Sequence, residues 1–141
     1  MTENAVDLAY TRLNGEEGRE RFAYNDATGK RVTCQPGGNL SIAVGVNLEI
    51  GLDDEEIDWL SKYRLSKAEQ KLTQLAWYAA LDPVRQSVCL DIDFNANLLH
   101  FPHMIAALAK GDWATAAAEC KVTNPELAGR YAALAQLLLT G

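Results

Sequence analysis

Apolar and polar positions change their period twice along the chain. From Glu3 to Leu13 the apolar residues Val6, Tyr10 and Leu13 recur at three-to-four spacing, which predicts a short first helix stopped by Gly15. Between Arg21 and Val46 the period shortens to two. "RFAY" alternates, "DATGK" reads as a turn, "RVTC" as a short strand, "QPGGN" as a tip and "LSIAVGV" as a further strand, which together predict a three-stranded antiparallel sheet. In that last strand Leu40, Ile42, Val44 and Val46 would share one face and Ser41, Ala43 and Gly45 the other. The second face is nearly bare, which suits either a bulky ligand or a closely packed loop.

From Asp53 the pattern turns helical and stays so. "DDEE" sets Asp53 three positions before Glu56, a capping-box arrangement, and the apolar positions Ile57, Leu60, Leu65, Ala68, Leu72 and Leu75 continue it as one long helix or two broken near "RLSK". Further helix starts are marked by proline at Asp82-Pro83, Phe101-Pro102 and Asn124-Pro125, with Asp82 and Asn124 as caps. Gly111 ends one helix and Asp112 caps the alanine-rich "WATAAAEC". The architecture expected is α+β: a β lobe over about 15–50, and a helical lobe made from 53–141 together with the first helix.

Composition narrows the function classes. At 141 residues the chain is one domain's worth, and its 48% apolar and 23% charged residues are ordinary for a globular protein. A net charge of −6 argues against a bulk electrostatic grip on nucleic acid or on an anionic membrane. Cys34, Cys89 and Cys120 are an odd count without metal-ligand spacing, so free thiols in a reducing compartment are expected. "MTENAVDLAY" has neither a basic n-region nor an apolar h-region, and no run is long enough to cross a bilayer. The expectation is a protein made in the cytoplasm without a signal peptide, monomeric, and free of stable membrane association.

The chemistry concentrates in "GEEGRERFAYNDATGK", where Glu16 and Glu17 sit on a glycine-flanked corner. Glu17-Gly18, then Tyr24 seven positions after the glutamate, Asp26 nine positions after it and a turn glycine at 29 resemble the opening motif of the T-even phage lysozyme family of muramidases. The resemblance continues in order along the chain. "LSIAVGVNL" is similar to that family's "T-I-G-x-G" strand, "DFNAN" to its "F-N/Q-x-G" helix end, "KGDWATAA" to its "DW" element and "GRYAALAQLLLTG" to its closing helix.

What the resemblance implies is a lysozyme-like fold with an inter-lobe cleft, and hydrolysis of the β-1,4 bond between N-acetylmuramic acid and N-acetylglucosamine in peptidoglycan, with inversion and without metal or cofactor. Glu17 would be the general acid, Asp26 the ionised carboxylate that positions water and stabilises positive charge, and Ser41, standing where threonine is usual, would hold that water. Arg130 corresponds to the arginine that pairs with the acid, and Phe94 is placed near the cleft by the same match. Asn47, at the end of the last strand, would either donate to a sugar N-acetyl group or form a turn.

The departures are specific. Ala43 replaces the first strand glycine, "KRVTCQPGGN" lengthens the hairpin, Asn97 stands where glycine is usual, Asp93 replaces an apolar residue without an evident partner, and the "S-x-W" piece before Pro125 is reshaped into "KVTN". Members of this family are often basic, whereas this chain is acidic, so delivery as part of a phage tail or through a holin-type system is one expectation. The rival reading is a catalytically degenerate lysozyme-fold module that binds the wall or builds a tail or secretion assembly. His100 and His103 flank Pro102 without a third ligand and suggest no metal. Trp59, Trp77 and Trp113 are expected in the core or between lobes.

Overall fold

In the computed structural model, which describes residues 3–33, 38 and 40–141, helices α1 (Ala5–Glu16), α2 (Asp54–Leu72), α3 (Ala76–Ala79), α4 (Pro83–Asn95), α5 (Pro102–Lys110), α6 (Trp113–Glu119) and α7 (Ala128–Thr140) are accompanied by two small, exposed hairpins between α1 and α2. The α+β class expected from the pattern is what is found. A 3-10 turn, Leu98–His100, links α4 to α5.

Helix α1 starts because the Asn4 side chain accepts the Asp7 amide, and it buries Ala5, Val6, Ala9 and Leu13 along one stripe. Gly15 does not end it. The helix runs through that glycine to Glu16, and the chain leaves at Gly18, whose φ of +78° is the left-handed conformation usual just past a helix end. Helix α2 is a single unbroken helix whose capping box is present in both directions, Asp53 to the Glu56 amide and Glu56 to the Asp53 amide. Asp82 caps α4 by accepting from Val84 and Arg85, as expected. Asn124 accepts the Glu126 amide, but this closes only a turn, and α7 begins at Ala128.

The expected three-stranded sheet is instead two separate two-stranded hairpins: β1 (Tyr24–Asn25) with β2 (Lys30–Arg31), and β3 (Ser41–Ile42) with β4 (Val46–Asn47). "LSIAVGV" is therefore not one strand. Ile42 pairs with Val46 around a three-residue loop in which Ala43 and Gly45 both take positive φ, +53° and +83°. A left-handed residue at the end of such a loop is what reverses the chain. Val44 is consequently 99% exposed at the tip, and the alternating faces expected for a continuous strand do not exist. Cys34 and most of the "QPGGN" tip lie outside the described residues.

The apolar core is helical. Helix α1 packs on α4 and α2, α4 on α7, and α6 between α5 and α7. Leu65, Val88, Leu90, Ile92, Met104, Leu134 and Leu138 are among its fully buried side chains. Each such side chain contributes about 1.5–3 kcal/mol through burial. Cys89 and Cys120 are buried free thiols in this core; burial holds the Cys89 thiol far above its ordinary value and pushes Cys120 up to about 12. Neither is a reactive thiolate at neutral pH. Trp77 and Trp113 pack against the core as expected. Trp59 does not: it is 63% exposed on the outside of α2.

Two arginines fasten the segment between α1 and the hairpins to the start of α2. Arg19 Nη1 lies 2.6 Å from Asp58 Oδ1 and 2.9 Å from both the Tyr10 hydroxyl and Asn14 Oδ1, while Tyr10 donates to Asp58. The Tyr10 hydroxyl and Arg19 hold the Asp58 carboxyl below its ordinary range. Arg21 donates to the Leu52 carbonyl and Asp54, and its own carbonyl accepts the Leu52 amide at 2.8 Å. Beside this joint Gly51 takes φ +82°, and a Cβ there would come within 2.8 Å of the Phe22 ring. Gly51→Ala should cost about 1–3 kcal/mol, from the left-handed backbone and the overpacked ring together, read as a lowered denaturation midpoint.

Glu69, on α2, has its carboxyl raised above the ordinary value by burial. A raised acid binds its proton more tightly in the folded state, so its contribution is favourable at low pH and is lost as pH rises through the glutamate range. Glu69→Gln should therefore be more stable than the native chain at pH 7. The difference should disappear as the pH is lowered below the ordinary glutamate value, a trend that denaturation curves at several pH values will show.

Candidate active site

Helix α1 ends on two adjacent carboxylates, Glu16 as its last residue and Glu17 as its cap. That end of a helix carries partial negative charge, so two acids there are unfavourable unless a cation answers them. Arg130, in the first turn of α7, is that cation. Its Nε lies 2.7 Å from Glu16 Oε2, its Nη1 donates to Glu17 Oε1, and its Nη2 donates to Asp91 Oδ1 at 2.7 Å. One guanidinium, with its side chain only 13% exposed, thus holds three carboxylates.

Asp91 is the buried member, at 0% exposure. Its other oxygen accepts from Arg12 Nε at 3.3 Å, and Arg12 in turn donates to Ser87, a buried hydroxyl one turn earlier on α4. The network runs from α1 through α4 to α7. Burial opposes the charge on Arg130, but its hydrogen bonds to Asp91 and Glu17 prevail and hold its pKa above the ordinary value. Burial also raises the Glu16 carboxyl, with Arg130 opposing that shift.

Glu17 stands between two spaces. On one side is a small cavity of about 60 Å³, lined by Tyr10, Leu13, Asn14, Gly18, Ile57 and Phe94 among others, with room for about two waters. On the other is an open groove of about 490 Å³ bounded by Glu16, Glu126, Leu127, Gly129 and Arg130. A groove of that size is in the range that takes a small ligand or one or two sugar rings.

Glu17 meets Arg130 and lines the small cavity together with Phe94, whereas the hairpin candidates line neither space beside it. Asp26 is exposed in the β1–β2 turn, where Asn25 makes the turn hydrogen bonds. Ser41 is exposed in β3 opposite Asn47. Asn47 turns its side-chain oxygen to the Glu49 amide at 2.9 Å, so the turn-forming alternative is the one realised. None of the three lines either space beside Glu17. Asp93 does have a partner, the Leu98 amide at 3.2 Å, which closes the end of α4.

Sequence reasoning missed Asp91, Ser87 and Arg12. A signal was there: Asp91 interrupts the apolar run "VCLDI" in the middle of α4, where a charge survives only if it is paired.

No family model and no curated protein sequence matches the chain. Solved structures do. A crystal structure of a P22 lysozyme mutant superposes with a TM-score of 0.70 at 21% identity, covering 99% of this chain and 100% of that one. The fold is that of a phage lysozyme. At that identity the likeness speaks for the fold alone, and the residues of this lysozyme-like chain have to carry any argument about chemistry. Among the described residues no helix is long and apolar enough to cross a membrane, and no cluster of His, Cys, Asp and Glu has the makings of a metal site.

Proposed function

We propose that this chain is a muramidase that hydrolyses the β-1,4 bond between N-acetylmuramic acid and N-acetylglucosamine in peptidoglycan. The observation that carries the reading is Glu17, anchored to Arg130 at the junction of a small polar-edged cavity and an open groove, on a phage lysozyme fold. In this reading Glu17 protonates the glycosidic oxygen, and the leaving sugar departs through an oxocarbenium-like transition state. Asp26, with Ser41, positions the water that attacks from the opposite face, so configuration inverts. Arg130 fixes the Glu17 rotamer, while Phe94 borders the sugar. The motif resemblance to the T-even phage lysozymes and the likeness to a P22 lysozyme both support action on the bacterial wall, with peptidoglycan as partner.

A second reading has an observation of its own. Asp26 and Ser41 sit on exposed hairpins and border neither space beside Glu17, as a wall-binding module that has lost turnover would allow. The two separate on the rate at which purified protein clears permeabilised Gram-negative walls. An enzyme clears them and Glu17→Gln does not; a degenerate module leaves them intact in both forms while sedimenting with them.

A further inference from the structure

Helix α2 lines a separate space on each of two faces. Ile57, Ser61 and Leu65 turn toward the cavity at Glu17. Trp59, Tyr63 and Lys67 follow each of these by two residues, about 200° around the helix, and so project from the opposite side. Trp59 is 63% and Tyr63 46% exposed, and their rings stack at 5.1 Å with planes 7° apart. Lys67 Nζ lies 5.5 Å from the tyrosine ring centre. This ladder forms one wall of a groove of about 450 Å³ that Arg64, Lys71 and Asp93 also line.

Charge in the groove runs against the charge of the whole chain. The protein carries −6, yet here Arg64, Lys67 and Lys71 face a single carboxylate, and Asp93 already accepts the Leu98 amide. Among the described residues none of the three cations enters an ion pair. Like charges three and four residues apart on a helix repel. Local packing explains the stacked rings and the Lys67 contact with Tyr63, but it does not explain three cations without an ion pair lining one groove beside them.

We propose that this groove is an accessory site for the anionic glycan of the cell wall, with a sugar ring on the open face of Trp59 and the free carboxylates of the peptide stem, or of a lactyl group that carries no peptide, on Arg64, Lys67 and Lys71. The proposal rests on the muramidase reading for the identity of its ligand. A long nucleic acid would meet the repulsion of the whole acidic chain, whereas a wall unit offers a sugar face and one or a few carboxylates at the scale of the groove. The two sites lie on opposite sides of one helix. A second grip on a neighbouring strand raises the effective concentration of the wall at the first, a gain of 10²–10⁴-fold for well-matched pairs.

The test uses the Glu17→Gln protein, so that the wall stays intact, and measures its sedimentation with purified Gram-negative sacculi. Adding Trp59→Ala, or Lys67→Glu with Lys71→Glu, should weaken retention at least about tenfold, with unchanged thermal midpoints because all three side chains are on the surface. In the otherwise native protein the same changes should leave hydrolysis of a short soluble glycan fragment at its native rate. Retention that is absent in the parent, or within twofold of the parent in both variants, overturns the proposal. Retention of a duplex DNA fragment that matches that of sacculi and is lost in the same variants overturns the choice of glycan. If retention depends on these residues while the native protein cuts nothing, the groove stands and the muramidase reading falls.

Discussion

Replacing Arg130 with methionine should destabilise the protein by about 3–5 kcal/mol, the cost of leaving a buried charge without its partner. Asp91 has no solvent to turn to, and Arg12 reaches it only through Nε at 3.3 Å. Glu16 and Glu17 would be left together at the negative end of α1. Against a total of about 5–15 kcal/mol for an ordinary domain, that is a large share. Chemical denaturation will measure it, and the double variant with Asp91→Leu should recover much of the loss, since a buried pair exchanged for apolar groups is often neutral. A loss below about 1 kcal/mol in the single variant would mean that the network is not what joins α1, α4 and α7.

Glu17→Gln should lower the rate of wall hydrolysis by about 10²–10⁴-fold with the fold intact, because the amide keeps the shape and removes the proton donor. Glu16→Gln is the necessary comparison. Both acids touch Arg130, and the raised pKa of Glu16 is itself a property of a proton donor. Only Glu17 faces the small cavity as well as the groove, and so stands where a sugar oxygen and a water could both be reached. The Glu16 variant should keep its rate within about tenfold. If it falls as far as the Glu17 variant was expected to, and the Glu17 variant stays active, the acid is Glu16.

The helical part of the fold was legible because its signals are local. The capping box at Asp53 and Glu56, the proline-marked start at Asp82 and the glycine stop at Gly111 each need only neighbours in sequence, and each is found in place. The hairpins were misread for the converse reason. Strand alternation in "LSIAVGV" looks the same whether the chain runs on or folds back, and positive φ at Ala43 is not written in an alanine. Trp59 was misplaced because a tryptophan's size argues for burial, while its seat on the outer face of a charged helix depends on which face packs inward. At the site, Glu17 and Arg130 were paired by motif and do meet across 113 positions, but Asp91 was invisible to motif and is held in its buried place by Arg130 and Arg12.

The most direct measurement is of the sugar ends released from purified sacculi, reduced with borohydride and identified after hydrolysis. The muramidase account predicts new muramic acid reducing ends that accumulate with time in the native digest and are absent with Glu17→Gln. New glucosamine ends, or no new ends from a folded native protein that sediments with the wall, would contradict it.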